Sequence, residues 1–157
     1  MDTLGLYRGA VHRAITGKRG QAALRELAAA MDAMPVKTLA AESLVNADGE
    51  FCTLGVLGQA RGLDMAPIDP EDWDAVAALF NLAPSMVREI VYENDEALAR
   101  HKWVDIVICG PMLRWEKHVR TVRVDIPEST LAPERWALMR KWVEQNLVDT
   151  AHDGGGS

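Results

Sequence analysis

The sequence predicts a mainly α-helical protein of the α+β class, a compact bundle of about six helices with a two-stranded antiparallel hairpin before the last helix. Apolar residues recur at helical spacing through most of the first 96 positions, and two later segments alternate with period two. A chain of 157 residues can bury a sizeable core without disulfides or metal. We therefore expect one domain over residues 1–150, with the β-ribbon at about 103–126 and a disordered tail at 151–157 that ends in a Gly/Ser linker remnant.

Two helices are predicted before Pro35. The first covers about Thr3 to Ile15, and Gly17 and Gly20 lie where it ends and the next begins. The second helix carries an apolar stripe at i, i+3, i+4 and i+7, formed by Leu24, Leu27, Ala28 and Met31. Residues 36–49 are ambiguous, and a short helix ending at Asp48-Gly49 is one interpretation.

The segment from Phe51 to Ala60 is predicted to be a buried helix despite its glycines, Gly55 and Gly58. Each interior glycine costs about 1 kcal/mol relative to alanine. Close approach of another helix is the usual compensation, so we expect a flat Gly/Ala face in the core. A ligand that approaches this face is the alternative.

A helical hairpin is predicted between residues 69 and 96. Asp69 is placed to cap its first helix, Pro70 suits the first turn, and Trp73, Val76, Ala77 and Phe80 form the apolar stripe. Asn81 suits a left-handed turn, and Val87 is expected to anchor the second helix. The spacing fits a helix-turn-helix.

The second helix of this hairpin is acidic. It carries Arg88 against four carboxylates, Glu89, Glu93, Asp95 and Glu96. Because DNA binding depends on neutralising phosphates, this face disfavours DNA recognition. We interpret the pair of helices as a packed helical hairpin, and its four carboxylates as an acidic docking face for a protein partner.

The C-terminal third is predicted to hold the ribbon and the last helix. Val104, Ile106 and Ile108 form one alternating segment, and Val122, Val124 and Ile126 form the other. A long loop over 112–119 should join them, and the ribbon should pack on the helices because two strands alone are marginally stable. The last helix is expected to start near Pro133-Glu134.

Charge is segregated along the chain. Residues 42–96 contain twelve acidic side chains and two basic ones, whereas residues 1–41 and 97–127 are each net basic. The electric field of segregated charge steers the approach of a binding partner. The candidate basic contact surface is the ribbon and its loop, comprising Arg114, Trp115, Lys117, His118, Arg120 and Arg123. Three interpretations stay open: a solvated loop, a protein interface or a nucleic-acid contact.

No catalytic residue, metal ligand or cofactor is predicted. The four histidines are scattered, and the chain has no phosphate-binding loop or nucleophile elbow. Cys52 and Cys109 are interpreted as small core residues, since no histidine lies near Cys52 in sequence. Two cysteines and no long apolar run favour a cytoplasmic protein without a membrane segment.

Five segments carry a family resemblance. They are residues 7–11 (YRGAV), 17–21 (GKRGQ), 48–55 (DGEFCTLG), 88–96 (REIVYENDE) and 135–143 (RWALMRKWV). In these the chain resembles small phage- and prophage-encoded proteins of no established function. The resemblance implies a non-enzymatic phage accessory protein that binds a protein partner in a bacterial host, with an inhibitor of a defence system such as CRISPR as one form. A nucleic-acid binder using residues 112–123 and an unrecognised small enzyme are the alternatives, and a homodimer stays open.

Overall fold

The computed structural model describes residues 3–108 and 118–148, which form six helices and a two-stranded antiparallel sheet before the last helix. This confirms the predicted α+β fold. The elements in chain order are α1 (Thr3–Thr16), α2 (Lys18–Ala33), α3 (Thr53–Ala60), α4 (Trp73–Phe80), α5 (Pro84–Glu96), β1 (His101–Ile108), β2 (His118–Asp125) and α6 (Glu128–Asn146).

The core lies where α2, α3 and α5 meet, with α4 and α6 closing it. The predicted stripe of α2 is buried, and Phe80 of α4 and Val87 of α5 are fully enclosed. Burying a large apolar side chain contributes roughly 1.5–3 kcal/mol, so the buried residues of these helices supply most of the free energy that drives folding. The innermost residues of the core are Leu24, Leu27, Met31, Leu54, Leu57, Phe80, Val87, Ile90, Met139 and Val143.

The glycines of α3 allow close approach, although a loop rather than a helix lies against the first of them. A Cβ at Gly55 would overlap the backbone carbonyl of Leu44. At Gly58 it would meet the Met65 side chain and the Phe80 ring of α4. The buried helix is thus confirmed, and the predicted helix–helix contact holds only at Gly58.

Substitution of Gly55 by alanine is therefore expected to lower the free energy of unfolding by about 3 kcal/mol, since the displaced atom is backbone and cannot rotate away. Gly9→Ala is the matched control. Its new Cβ meets only the flexible end of Arg13, and alanine is the better helix former. Urea unfolding of both variants checks this, and equal stabilities would contradict the assigned contact.

Residues 36–49 form no helix, contrary to the interpretation of a short one. The segment is pinned by side-chain and bridge contacts instead: Val45 pairs with Phe51, and the Asn46 Oδ1 accepts from the backbone N–H groups of Asp48 and Glu50. Asn46 thus stabilises a turn at the place where the end of a short helix was predicted.

Asn94 of α5 ties this loop to the core. It is only 2% exposed. Its Oδ1 accepts from the Thr53 N–H at 3.0 Å and the Thr53 hydroxyl at 2.7 Å, and its Nδ2 donates to the Ala40 carbonyl at 3.0 Å. One side chain therefore joins α5, the start of α3 and the loop before it.

The helical hairpin forms as predicted, with one correction at its start. Asp72, not Asp69, caps α4 by accepting from the Ala75 N–H at 3.2 Å, while Asp69 accepts from Glu71 in the preceding turn. Pro70 accordingly lies in the turn before α4 and not in the first turn of the helix. Asn81 adopts the left-handed conformation (φ 53°), which confirms the predicted turn.

The last helix begins five residues before the predicted Pro133. Pro133 lies inside α6, where it removes one helical hydrogen bond. Other contacts offset that loss. Leu131 is buried, and the buried Arg135 donates to the Leu39 carbonyl outside the helix at 2.8 Å and to Glu128 at the helix start at 2.5 Å. The proline therefore did not mark the boundary.

The β-ribbon is antiparallel, with Val104 opposite Val122 and Trp103 opposite Arg123. The expectation that it packs on the helices is wrong for the described residues, since most of its side chains are exposed. The helical core is already closed without it. The ribbon is held at its base, where Ile126 N–H donates to the Arg100 carbonyl at 2.8 Å and Arg100 pairs with Glu42 at 2.6 Å.

Candidate functional site: an acidic groove and an exposed ribbon

A groove of about 1030 Å³ runs between α1, α5 and the C-terminal end of α6. Its floor is apolar, formed by the buried Val11 and Ile15 of α1. Aromatic side chains from four elements stand along it: Tyr7, Trp73, Tyr92 and Trp142. We call this feature the groove.

All four carboxylates of the predicted acidic face line the groove, so the structure brings this set together. Glu89 and Glu93 lie one turn apart on α5 and are partly buried, and Glu96 is exposed at the helix end. Asp95 is committed to structure, because its Oδ1 accepts from the Asn94 side chain at 2.7 Å and from the Glu42 N–H at 3.1 Å.

Four carboxylates and two arginines line the groove. Burial raises the pKa of the Glu93 carboxyl, and the charge of Glu89 raises it further. Burial, followed by the charge of Glu89, likewise raises the pKa of the Tyr7 hydroxyl, which lies 3.5 Å from a Glu89 oxygen. Arg88 faces the Tyr7 ring at 5.3 Å from its centroid, and forms no salt bridge with a described carboxylate.

Replacement of Glu93 by glutamine should raise the free energy of unfolding at pH 7, since it removes a partly buried charge beside Glu89. The native carboxyl binds its proton more tightly than the unfolded one. Between the ordinary pKa of 4.5 and the raised pKa, the native state binds more protons than the unfolded state. The free energy of unfolding of the wild type therefore falls as pH rises through that window. The advantage of the variant should shrink as pH falls below 4.5. Urea titrations at pH 4 and pH 7 check this, with exposed Glu134→Gln as the control; an advantage independent of pH would contradict it.

The ribbon exposes large apolar side chains on both faces. Trp103 is 65% exposed, Val107 is 54% and Val119 is 63%, and the register places these three on one face. Ile106 and Val124 are exposed on the other. On the first face the Asp105–Thr121 pair, which hydrogen bonds at 2.8 Å, separates Trp103 from the Val107–Val119 pair. Exposed tryptophan and paired valines of this kind are typical of contact surfaces.

The predicted basic set is only partly placed by the structure. Arg120 and Arg123 lie on β2, but three positions apart on a strand, and so on opposite faces. His118 begins β2, whereas Arg114, Trp115 and Lys117 lie outside the described residues. The described basic residues therefore do not form one surface.

The apolar members of the ribbon were missed as contact residues. The signal was present, because Trp103 and Val107 alternate out of phase with Val104 and Ile106, which makes both faces apolar.

The charge blocks partly neutralise each other. Arg100 reaches back from the basic block to Glu42 at 2.6 Å, and Arg61 inside the acidic block pairs with Glu26 at 2.8 Å. Glu89 and Glu93 form no salt bridge within the described part of the chain. These two carboxylates of the groove are therefore not neutralised by a described salt bridge.

Cys52 does not have the surroundings of a nucleophile. Burial raises the pKa of its thiol to about 11, and its Sγ accepts from the Gly55 N–H at 3.4 Å as the cap of α3. The cavity that it borders has no histidine among its described lining residues. Cys109 lies outside the described residues.

Residues 3–108 and 118–148 hold neither a cluster of metal ligands nor a membrane-spanning helix. These residues contain no group of three or more His, Cys, Asp or Glu side chains placed to hold a metal ion. None of their helices combines the length and apolar character needed to cross a bilayer.

The chain matches no protein-family model, and no curated protein or solved structure is significantly similar to it.

Proposed function

We propose that this protein is a non-enzymatic binding protein whose β-ribbon docks onto a protein partner. The exposure of Trp103, Val107 and Val119 on one ribbon face is the observation that carries the proposal. Two paired strands alone are only marginally stable in water. Large apolar side chains that stay exposed on them contribute no burial energy to the fold, and they gain it when a partner covers them. Tryptophan is also among the commonest anchors of protein interfaces.

The charges on that face favour a protein over a nucleic acid. Asp105 and Asp125 share the face with Trp103, and Arg123 is 3.7 Å from Asp125. Carboxylates beside a stacking aromatic repel a phosphate backbone. A protein surface tolerates such a mixture of apolar, acidic and basic groups.

The class of partner comes from the resemblance to small phage- and prophage-encoded proteins. It suggests a phage accessory protein acting in the bacterial cytoplasm on a host component. A defence complex such as CRISPR is the partner class that we propose to test first.

Affinity capture from a bacterial host lysate tests this function. The intact protein should retain a discrete host protein, and Trp103→Ala or Val119→Ala should reduce its recovery about tenfold or more, as expected for interface anchors. Val36→Ala is the matched control, because Val36 is as exposed as Val119 but lies outside the ribbon. Equal recovery with all three variants would remove the ribbon from the interface, and salt-sensitive recovery of nucleic acid instead of protein would favour the nucleic-acid alternative.

A further inference from the structure

We propose that the groove is a second contact site, which receives an arginine or lysine side chain from a basic peptide segment of the partner. This inference rests on the proposed function, since the segment belongs to the protein that the ribbon binds. It assigns a ligand chemistry to a site that lies on the helical body rather than on the ribbon.

The walls of the groove suit a long cationic side chain. Arginine and lysine carry apolar stems that pack against apolar surface while the charged end seeks a partner. Val11 and Ile15 provide an apolar floor for the stem, and Tyr92 and Trp142 provide aromatic rings. Guanidinium groups stack on such rings. The volume of about 1030 Å³ is at the upper end of that of ligand pockets.

The charge of the groove selects a cation. Glu89 and Glu93 project from adjacent turns of α5 and have no described salt-bridge partner. Arg88 is stacked on Tyr7, and Arg8 is exposed on the α1 side, so the carboxylates still outnumber the lining cations. An incoming positive group would relieve the repulsion between the two glutamates as well as pair with them.

The chain's own C-terminal residues are a poor occupant. Val148 lines the groove and is followed directly by residues 149–157, which carry Asp149 and Asp153 and no lysine or arginine. These charges would add to the repulsion. Charge complementarity therefore favours a basic segment from another protein.

A peptide titration tests the assignment. The probe is acetyl-Leu-Arg-Leu-Arg-amide, and its matched control replaces both arginines with citrulline, which keeps the shape and removes the charge. We expect saturable binding of the arginine peptide, with amide shifts confined to 7–16, 88–96 and 142–148 in heteronuclear NMR spectra. The E89Q/E93Q double variant should bind about tenfold more weakly. Glu134→Gln should bind normally, because Glu134 is exposed outside the groove.

Three outcomes of the titration would overturn the inference. They are equal affinity for the citrulline peptide, unchanged affinity in E89Q/E93Q, and equal affinity for free acetyl-arginine amide, which would indicate a small-molecule site. Dimerisation of the protein alone that E89Q/E93Q abolishes would assign the groove to a second copy instead, and would also overturn it. Trp103→Ala should leave peptide binding unchanged, so failure at the groove and failure at the ribbon can be told apart.

Discussion

Excision of the β-ribbon is expected to abolish partner capture and to leave the helical body folded. The ribbon begins and ends at one point, where the Ile126 N–H donates to the Arg100 carbonyl at 2.8 Å. A short Gly-Ser linker can therefore replace residues 102–124 without moving the start of α6. Because most ribbon side chains are exposed, we expect the free energy of unfolding of the helical body to change by less than about 1 kcal/mol.

The readouts for the excised protein are far-ultraviolet circular dichroism, urea unfolding and capture from host lysate. Retained helicity with lost capture is the expected combination. A protein that unfolds on excision would show that the ribbon is part of the core, and full capture without the ribbon would place the interface elsewhere.

Replacement of Asn94 by alanine is expected to lower the free energy of unfolding by about 3–5 kcal/mol. The substitution leaves the Thr53 N–H, the Thr53 hydroxyl and the Ala40 carbonyl without their partner in the interior. Each such group costs about 1–3 kcal/mol when it is left unsatisfied. The total is a large part of the ~5–15 kcal/mol that holds a typical domain together.

Thr53→Val is the graded comparison for this prediction. It removes only the hydroxyl and keeps both the shape and the N–H bond to Asn94, so a loss of about 1 kcal/mol is expected. Both values come from urea unfolding monitored by tryptophan fluorescence. If Asn94→Ala costs no more than Thr53→Val, the loop at 36–49 is not held by this network.

The helices were predictable because their signals are local. The stripe of α2, the left-handed Asn81 and the anchor Val87 each depend on a few neighbouring residues, and all three stand in the structure. The errors arose where distant residues decide the outcome. Asn94 pins the loop at 36–49, and contacts of Leu131 and Arg135 extend α6 upstream of Pro133.

The candidate site divides in the same way. The carboxylates at 89, 93, 95 and 96 were predicted as one face because helical spacing groups them, and they do line one groove. The aromatic wall could not be predicted, since Tyr7 and Trp142 come from helices at opposite ends of the chain. The ribbon is an intermediate case: its sequence shows apolar residues on both faces, but alternation does not say that the face of Trp103 stays in water.

Site-specific photo-crosslinking is the most direct test of the ribbon as the partner-binding surface. A benzophenone amino acid introduced at Val107 should give a discrete adduct with one host protein in lysate, and the same group at Val36 should give none. Val107 and Val36 are both well exposed, at 54% and 64%, so accessibility alone does not separate them. An identical adduct pattern from both positions, or no adduct from Val107, would contradict the assignment of the ribbon.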